Sequence, residues 1–385
     1  MNPRTPPLGW NTWNTFGKNI DEQLVLQSVD KFVERGLRDA GYQYVVIDDC
    51  WSLRERDPTT HEIVPDPAKF PRGMKFVADY VHSKGLKFGM YSCAGARTCA
   101  DYPGSFDHEF LDARTFARWG VDFLKYDYCN MPFQGQGEFY YRRMGQALRL
   151  SGRDILFSAC NWGSDDVWRW IRSTGAGMYR STGDIFDSFG SMRAIAVSQL
   201  PKFDTSAPGC FNDMDMLTVG MFKKGYAAAE QWAGKDIPTA EEYKVQFAAW
   251  CLWGSPLMLG CDIRSMDAGT LALVTNRDLL GINQDPLALQ PFAACMGGPD
   301  KSLPCAVARL LDGGDIALML VNFADDGDAC GRVLLERLGL SYSSGFRLEM
   351  RDVFTGETTL SGRDDIPFTL PRHTCRVFRC TPVPA

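Results

Sequence analysis

Val121-Asp122-Phe123-Leu124-Lys125-Tyr126-Asp127 is a short apolar stretch that carries a lysine and closes on an aspartate. In an extended chain alternate side chains share a face, so Lys125 and Asp127 stand on one side of the strand. Similar runs recur through the first two thirds of the chain, at residues 7–10, 42–48, 86–92, 154–159, 177–182, 209–214 and 256–260. They read as continuous apolar segments without in–out alternation, the pattern of parallel strands covered on both faces. Helical patterns lie between them, at residues 22–40, 73–84, 111–119 and 241–253. Eight strand–helix units predict an α/β fold closed into a (β/α)8 TIM barrel, here over residues 1–290.

After about Pro291 the character changes to short β-forming segments at 315–322, 345–353 and 375–380. These are punctuated by Asp312-Gly313-Gly314 and Asp325-Asp326-Gly327. This predicts a C-terminal antiparallel β-sandwich domain over residues 291–385. The length of 385 residues accommodates a barrel of ~250 residues plus a second domain of about 100.

Composition narrows the functional classes. Apolar content is 45%, charged content 23%, and the formal net charge −6. No Lys/Arg run follows a phosphate backbone, so nucleic acid is not an expected partner. No stretch approaches the ~20 apolar residues of a membrane span, so no membrane is expected either. The N-terminus shows no charged segment followed by an apolar one, and the expected location is cytoplasmic. Thirteen cysteines are odd in number and scattered, and the expectation is that most are reduced thiols. The four histidines, His61, His82, His108 and His373, are far apart, and no paired C-x-x-C occurs. A zinc site is therefore not expected.

The aspartates locate the chemistry. Strand patterns end in Val46-Ile47-Asp48-Asp49, Leu124-Lys125-Tyr126-Asp127, Ser181-Thr182-Gly183-Asp184, Asn212-Asp213-Met214-Asp215 and Gly260-Cys261-Asp262. A barrel gathers these ends around one mouth, so six or more carboxylates are expected in one cavity. Any single one reads equally as a helix cap or turn residue. Five strands ending alike read as a carbohydrate site, because clustered carboxylates repel one another and persist where chemistry needs them. Two suffice for glycoside hydrolysis, one attacking the anomeric carbon and one serving as acid and then base. Asp127 is the better nucleophile, since the Lys125 ammonium beside it favours the ionised form. Asp184 is its expected partner, with Arg180 four residues earlier able to fork onto a hydroxyl or carboxylate. Trp10, Trp13, Trp51, Tyr91 and Trp162 fall at or just beyond strand ends. Each reads as core or as a stacking platform, Trp51 beside the Asp48-Asp49 pair most suggestively. Residues 222–236 are longer than a barrel connection needs, and read as a leaving-group wall, an oligomer contact or a plain surface loop.

Together with Leu8-Gly9-Trp10-Asn11-Thr12-Trp13, Arg180-Ser181-Thr182-Gly183-Asp184-Ile185, Phe211-Asn212-Asp213-Met214-Asp215-Met216 and Ile282-Asn283-Gln284-Asp285, these motifs resemble glycoside hydrolase family 27. The ordered match runs from Pro6 to about Gln290 and more loosely beyond. The resemblance implies a retaining α-galactosidase or close relative without metal or cofactor, with Asp127 as nucleophile and Asp184 as acid/base. It implies that Asp48 and Asp49 bind the C4 and C6 hydroxyls, Lys125 the C3 and C4 side, and Arg180 and Asp215 the C2 hydroxyl. It further implies that Trp13 and Tyr91 line the pocket, and that Cys99 and Cys129 match a pair bridged in many secreted members.

Departures accompany the match. Lys18 occupies the position that usually pairs with Cys50, Cys93 replaces a frequent Asp, and Met214 stands where Pro is usual. The segment Cys160-Asn161-Trp162 is implied to set the room near C2. Trp162 there favours galactose over N-acetylgalactosamine, although Asn161 replaces the galactosidase Glu. The expected partner is an α-galactoside oligosaccharide or glycoconjugate, and a homo-oligomer stays open. The alternatives are an α-N-acetylgalactosaminidase or β-L-arabinopyranosidase on the same fold, a Schiff-base or divalent-metal enzyme, and a non-catalytic sugar binder.

Overall fold

The computed structural model describes residues 2–202, 205–297 and 301–385. The described residues divide into two compact units, each built from several stretches of chain. The first runs to Asp187 and adds Pro208–Lys235 and Pro256–Asp267. The second takes Ser188–Ala207, Asp236–Ser255 and Ala268–Ala385.

The first unit holds all the strands of the expected barrel, whereas chain within the expected bounds of 1–290, at Ser188–Ala207, Asp236–Ser255 and from Ala268 on, falls in the second. Eight parallel strands, β1 (Leu8–Asn11), β2 (Tyr44–Val46), β3 (Lys87–Cys93), β4 (Phe123–Asp127), β5 (Leu156–Cys160), β6 (Met178–Arg180), β7 (Phe211–Asp213) and β8 (Leu257–Leu259), follow one another in the order 7-6-5-4-3-2-1-8. Closure comes just past β7. Leu217 N–H donates to the Met258 carbonyl at 2.8 Å, and Gly260 N–H to the Leu217 carbonyl at 2.9 Å. Strand residues are buried almost without interruption, which explains why they read as unbroken apolar runs. Inward side chains of alternate strands make a layer, Tyr44, Phe123, Met178 and Met258, as barrel interiors require. The same face of β4 then presents Lys125 and Asp127, so the strand passes from apolar floor to charged mouth within five residues.

The helix expected over 22–40 ends earlier, at Glu22–Glu34, because Gly36 adopts φ 75° and turns the chain back. Helices Gly137–Leu150 and Phe189–Ser198 were not legible in the sequence. Helix Ala240–Trp253 opens with a Thr239/Glu242 capping box and is buried nearly all round, from Tyr243 to Trp253.

In the second unit an antiparallel six-stranded sheet has the order β14 (Thr358–Leu360), β13 (Phe346–Asp352), β16 (Cys375–Pro384), β11 (Ile316–Val321), β10 (Pro304–Leu310), β9 (Phe292–Met296). A two-stranded sheet, β12 (Ala329–Leu334) with β15 (Asp365–Leu370), shares its core. Val333, Ile366 and Leu370 meet Leu318, Leu320, Leu348 and Phe378. This is the predicted sandwich.

Cys99 and Cys129 are joined in a disulfide with Cα atoms 5.2 Å apart, and the other cysteines are free and mostly buried. Cys50 is among the free ones. Where its usual partner position holds Lys18, the Lys69 ammonium donates to both the Lys18 and the Cys50 carbonyls, at 2.9 and 2.7 Å. A charge-assisted clamp thereby ties the two segments. Among the described residues no helix is long and apolar enough to cross a membrane.

Candidate active site

The strand ends of the barrel converge on one pocket. Ten of the twelve expected site residues line it: Trp13, Asp48, Asp49, Tyr91, Lys125, Asp127, Trp162, Arg180, Asp184 and Asp215. They come from strand ends 1 to 7, so no local segment could form this site alone.

Asp127 ends β4 and is 6% exposed. Its Oδ1 accepts the Tyr128 N–H at 2.9 Å and its Oδ2 the Tyr91 hydroxyl at 2.8 Å. These bonds fix the carboxylate plane. Burial is the largest influence on its pKa and raises it, to about 6. Lys125, the Tyr128 N–H and the Tyr91 hydroxyl oppose that rise, and the Asp184 charge adds to it. Asp184 sits in the loop after β6 with its side chain 64% exposed. Burial by the surrounding site acts to raise it, but the Arg180 and Lys125 charges outweigh this and hold it below the usual range.

Two cations organise the remaining acids. Lys125 Nζ donates to Asp48 Oδ2 at 2.8 Å, the oxygen that also accepts Asn11 Nδ2 at 2.7 Å. Asp48 Oδ1 takes the Asp49 N–H at 2.9 Å, and Asp49 in turn takes the Cys50 and Ala100 N–H groups at 2.6 and 3.2 Å. Burial raises Asp49 despite these donors. Arg180 is 3% exposed. Its Nη1 meets Asp215 Oδ1 at 2.9 Å, and its Nη2 meets Asp184 Oδ1 at 3.1 Å and the Gly183 carbonyl at 2.8 Å. Arg180 Nε is buried without a protein partner among the described residues. Asp215 (φ 82°) is pinned in a left-handed turn by its N–H bond to Asp213 Oδ1 at 2.9 Å, and it accepts the Ile185 N–H at 2.7 Å.

Several expectations are corrected. Of Cys160-Asn161-Trp162, only Trp162 reaches the pocket wall. Cys160 is the last residue of β5 and lies under Arg180, with Nη1 3.7 Å from its sulfur. Asn161 is fully buried and donates its amide to the Ser164 carbonyl at 2.8 Å. Five carboxylates, not six or more, line the pocket. Asp213 faces the barrel interior one layer deeper, where burial pushes it up to about 6. Asp262 caps the following turn and pairs with Arg264, the bland reading for a post-strand Asp. Trp51 does not line this pocket. Its ring packs against Phe116 and Trp119, and Nε1 bonds the Tyr91 carbonyl at 2.9 Å. Trp10 is likewise core, bonded to the Cys261 carbonyl.

Residues missed by the sequence reading also line the pocket, notably Asn14, Cys99, Phe186, Met216 and Tyr226. Tyr226 comes from the long 222–236 segment, whose excess length was the available signal. Cys99, Cys129 and Asp127 bring sulfur and oxygen within 4.8 Å. The two sulfurs are bonded to each other, so they offer no thiolate to a metal.

The family model described as Alpha galactosidase A matches residues 5–285. A curated α-galactosidase of Cyamopsis tetragonoloba is 39% identical over 384 residues, covering 98% of this chain and 87% of that protein. The crystal structure of α-galactosidase I from Mortierella vinacea superposes with a TM-score of 0.87 at 31% identity, over 98% of this chain and 97% of the other. The α-galactosidase of Saccharomyces cerevisiae, whose structure was solved with raffinose, superposes with a TM-score of 0.84 at 26% identity, over 99% and 98% of the two chains. The motifs, the barrel and the carboxylate pocket agree with these relatives, and the chain belongs to the α-galactosidase family, glycoside hydrolase family 27.

Proposed function

We infer that the chain is a retaining, exo-acting α-galactosidase that removes terminal non-reducing α-D-galactosyl residues from oligosaccharides or glycoconjugates. The observation that carries this reading is the pairing of Asp127 and Asp184 in one pocket, the first buried and hydrogen-bonded, the second exposed at the mouth.

In the first step an Asp127 oxygen attacks the anomeric carbon while Asp184 gives its proton to the glycosidic oxygen, releasing the aglycone as an alcohol. The galactosyl ester formed on Asp127 is cleaved when Asp184 takes a proton from water and the hydroxyl attacks the same carbon. Two inversions return the α configuration. In the free site the two acids stand opposite to what the first step needs, Asp127 raised and Asp184 lowered. Substrate supplies the reversal. A leaving group seated over Asp184 removes water from its exposed carboxyl, and a sugar hydroxyl accepting from Arg180 draws on the charge that held it ionised. Positive charge developing at the anomeric carbon favours ionised Asp127.

Galactose recognition follows from the hydrogen-bonded acids. Asp48 and Asp49 keep acceptor lone pairs for the C4 and C6 hydroxyls after their protein donors are counted. The buried Arg180 Nε–H, free of a protein partner among the described residues, and the Asp215 carboxylate are the groups we assign to the C2 hydroxyl. Trp162 fills the wall where an acetamido group needs room.

The deciding experiment is a panel of nitrophenyl α-galactoside, α-N-acetylgalactosaminide and β-L-arabinopyranoside, run with wild type and Asp127→Ala. Fast turnover of the galactoside, lost in the variant while circular dichroism is unchanged, is the expected result. Preference for either other sugar, or full activity in the variant, overturns the reading.

A further inference from the structure

The loop after β5 carries Trp162 on strained backbone. Trp162 has φ 58°, Gly163 87°, Asp165 56° and Asp166 49°. All but Gly163 bear a Cβ, which the left-handed region disfavours, so such a run persists only where its surroundings over-determine it. Gly163 answers a close approach, since a Cβ there would lie 2.8 Å from the Ser181 carbonyl oxygen.

The Asp165 side chain anchors this run. Its Oδ2 accepts the Tyr128 hydroxyl at 2.8 Å and, at the start of helix Gly137–Leu150, the Gly137 N–H at 3.0 Å. A carboxylate is favoured at such a helix start. The Asp165 carbonyl accepts Trp170 Nε1 at 2.7 Å, and Trp170 packs on Tyr141 with ring centroids 5.9 Å apart. The fit at Gly137 is close, because a Cβ there would lie 2.9 Å from the same Asp165 Oδ2. Tyr128 is buried. Burial first, then the hydrogen bond and charge of Asp165, raise the pKa of its phenol, which keeps the proton on Tyr128 as the donor.

Tyr128 also reaches the nucleophile, since its backbone N–H donates to Asp127 Oδ1 at 2.9 Å. One residue thus has its backbone on Asp127 and its side chain on the loop that bears Trp162. Asp127 and Trp162 line the same pocket, and Asp165 does not line it. We propose that Asp165 is a positioning residue, which through Tyr128 fixes the Trp162 wall relative to Asp127 and so sets the room at the C2 side of the sugar. This rests on the α-galactosidase reading and adds to it a residue outside the pocket. Both side-chain bonds fall on one oxygen, so the loop requires an acceptor there, and the carbonyl oxygen of an asparagine can supply it.

The test measures kcat and KM of wild type, Asp165→Ala, Asp165→Asn, Tyr128→Phe and Trp162→Ala on nitrophenyl α-galactoside and nitrophenyl α-N-acetylgalactosaminide, together with melting temperatures. For Asp165→Ala, KM for the galactoside should rise about three- to tenfold with kcat changed less than about twofold. Its kcat/KM ratio of N-acetyl substrate to galactoside should also rise about three- to tenfold. Tyr128→Phe should shift the ratio to the same extent, and combining the two should shift it no further. Asp165→Asn should return the ratio close to wild type. An unchanged ratio in Asp165→Ala, even with a lower melting temperature, overturns the proposal, as does an asparagine variant that behaves like alanine. Should Asp165→Ala fail to fold, an unchanged ratio in Tyr128→Phe overturns it equally. A ratio shift confined to Trp162→Ala overturns the positioning role and leaves the α-galactosidase reading standing. If wild type cleaves neither glycoside, the α-galactosidase reading itself fails and this role falls with it.

Discussion

Lys125 Nζ is hydrogen-bonded to Asp48 Oδ2 at 2.8 Å, so the ammonium two residues before Asp127 is committed to a different carboxylate. The short-range inference from the β4 sequence, that this lysine keeps Asp127 ionised, is therefore only half of the balance. Lys125 does pull Asp127 down, but burial wins and leaves it at about 6.

This sets a pH dependence. Below about pH 6 the free enzyme carries a proton on Asp127 and lacks a nucleophile, so kcat/KM should fall with an acidic limb near that value. Because Asp184 and Asp127 interact, the limb belongs to the pair. Steady-state rates between pH 4 and 8 check this. A flat profile down to pH 4 contradicts the burial of Asp127.

Stability should move the other way from activity in Asp127→Asn. A carboxylate raised from 3.8 to about 6 weakens folding as pH climbs through that window, because the folded state retains the proton longer than the unfolded chain. The asparagine variant escapes this and should be more stable at pH 7 by about 1–3 kcal/mol. The gap should shrink toward pH 4, as read by urea unfolding at several pH values. Turnover should drop by several orders of magnitude.

Removing Lys125 tests the buried pair. Asp48 is 2% exposed, and Lys125→Met strands its charge with Asn11 Nδ2 as the remaining side-chain donor shown on that oxygen. The expected loss is about 3–5 kcal/mol, with galactoside binding abolished. Adding Asp48→Asn should restore most of the stability and none of the activity. Additive losses in the double variant contradict a direct pair.

At the sugar wall, Trp162→Ala should widen the pocket. Turnover of nitrophenyl α-N-acetylgalactosaminide relative to the galactoside is expected to rise about tenfold or more. An unchanged ratio shows that Trp162 does not limit the room at C2.

How far the chain could be read follows from the range of the interactions. All eight barrel strands were legible because burial on both faces leaves unbroken apolar runs, and β4 shows floor and mouth within five residues. The acids were legible because a barrel brings strand ends together whatever the loops do. The direction of a side chain after the strand was not. Trp51 follows Cys50, whose φ is 70°, and packs inward on Phe116 and Trp119. Asp262 turns back to Arg264, and Asn161 folds onto Ser164. Each outcome depends on a local turn with no periodic signature. Tyr226 and Phe186 were hidden for another reason, since stacking across separate loops leaves no pattern in either loop alone. Asp184 was legible as a residue, but its lowered pKa depends on Arg180 and Lys125 meeting it in space.

The central claim is double displacement at one anomeric carbon by Asp127 and Asp184. Proton NMR of the first galactose released from an α-galactoside, followed before mutarotation, tests it most directly. The α-anomer should appear first and convert slowly to the mixture. The β-anomer appearing first contradicts the covalent route and the assignment of Asp127 as nucleophile.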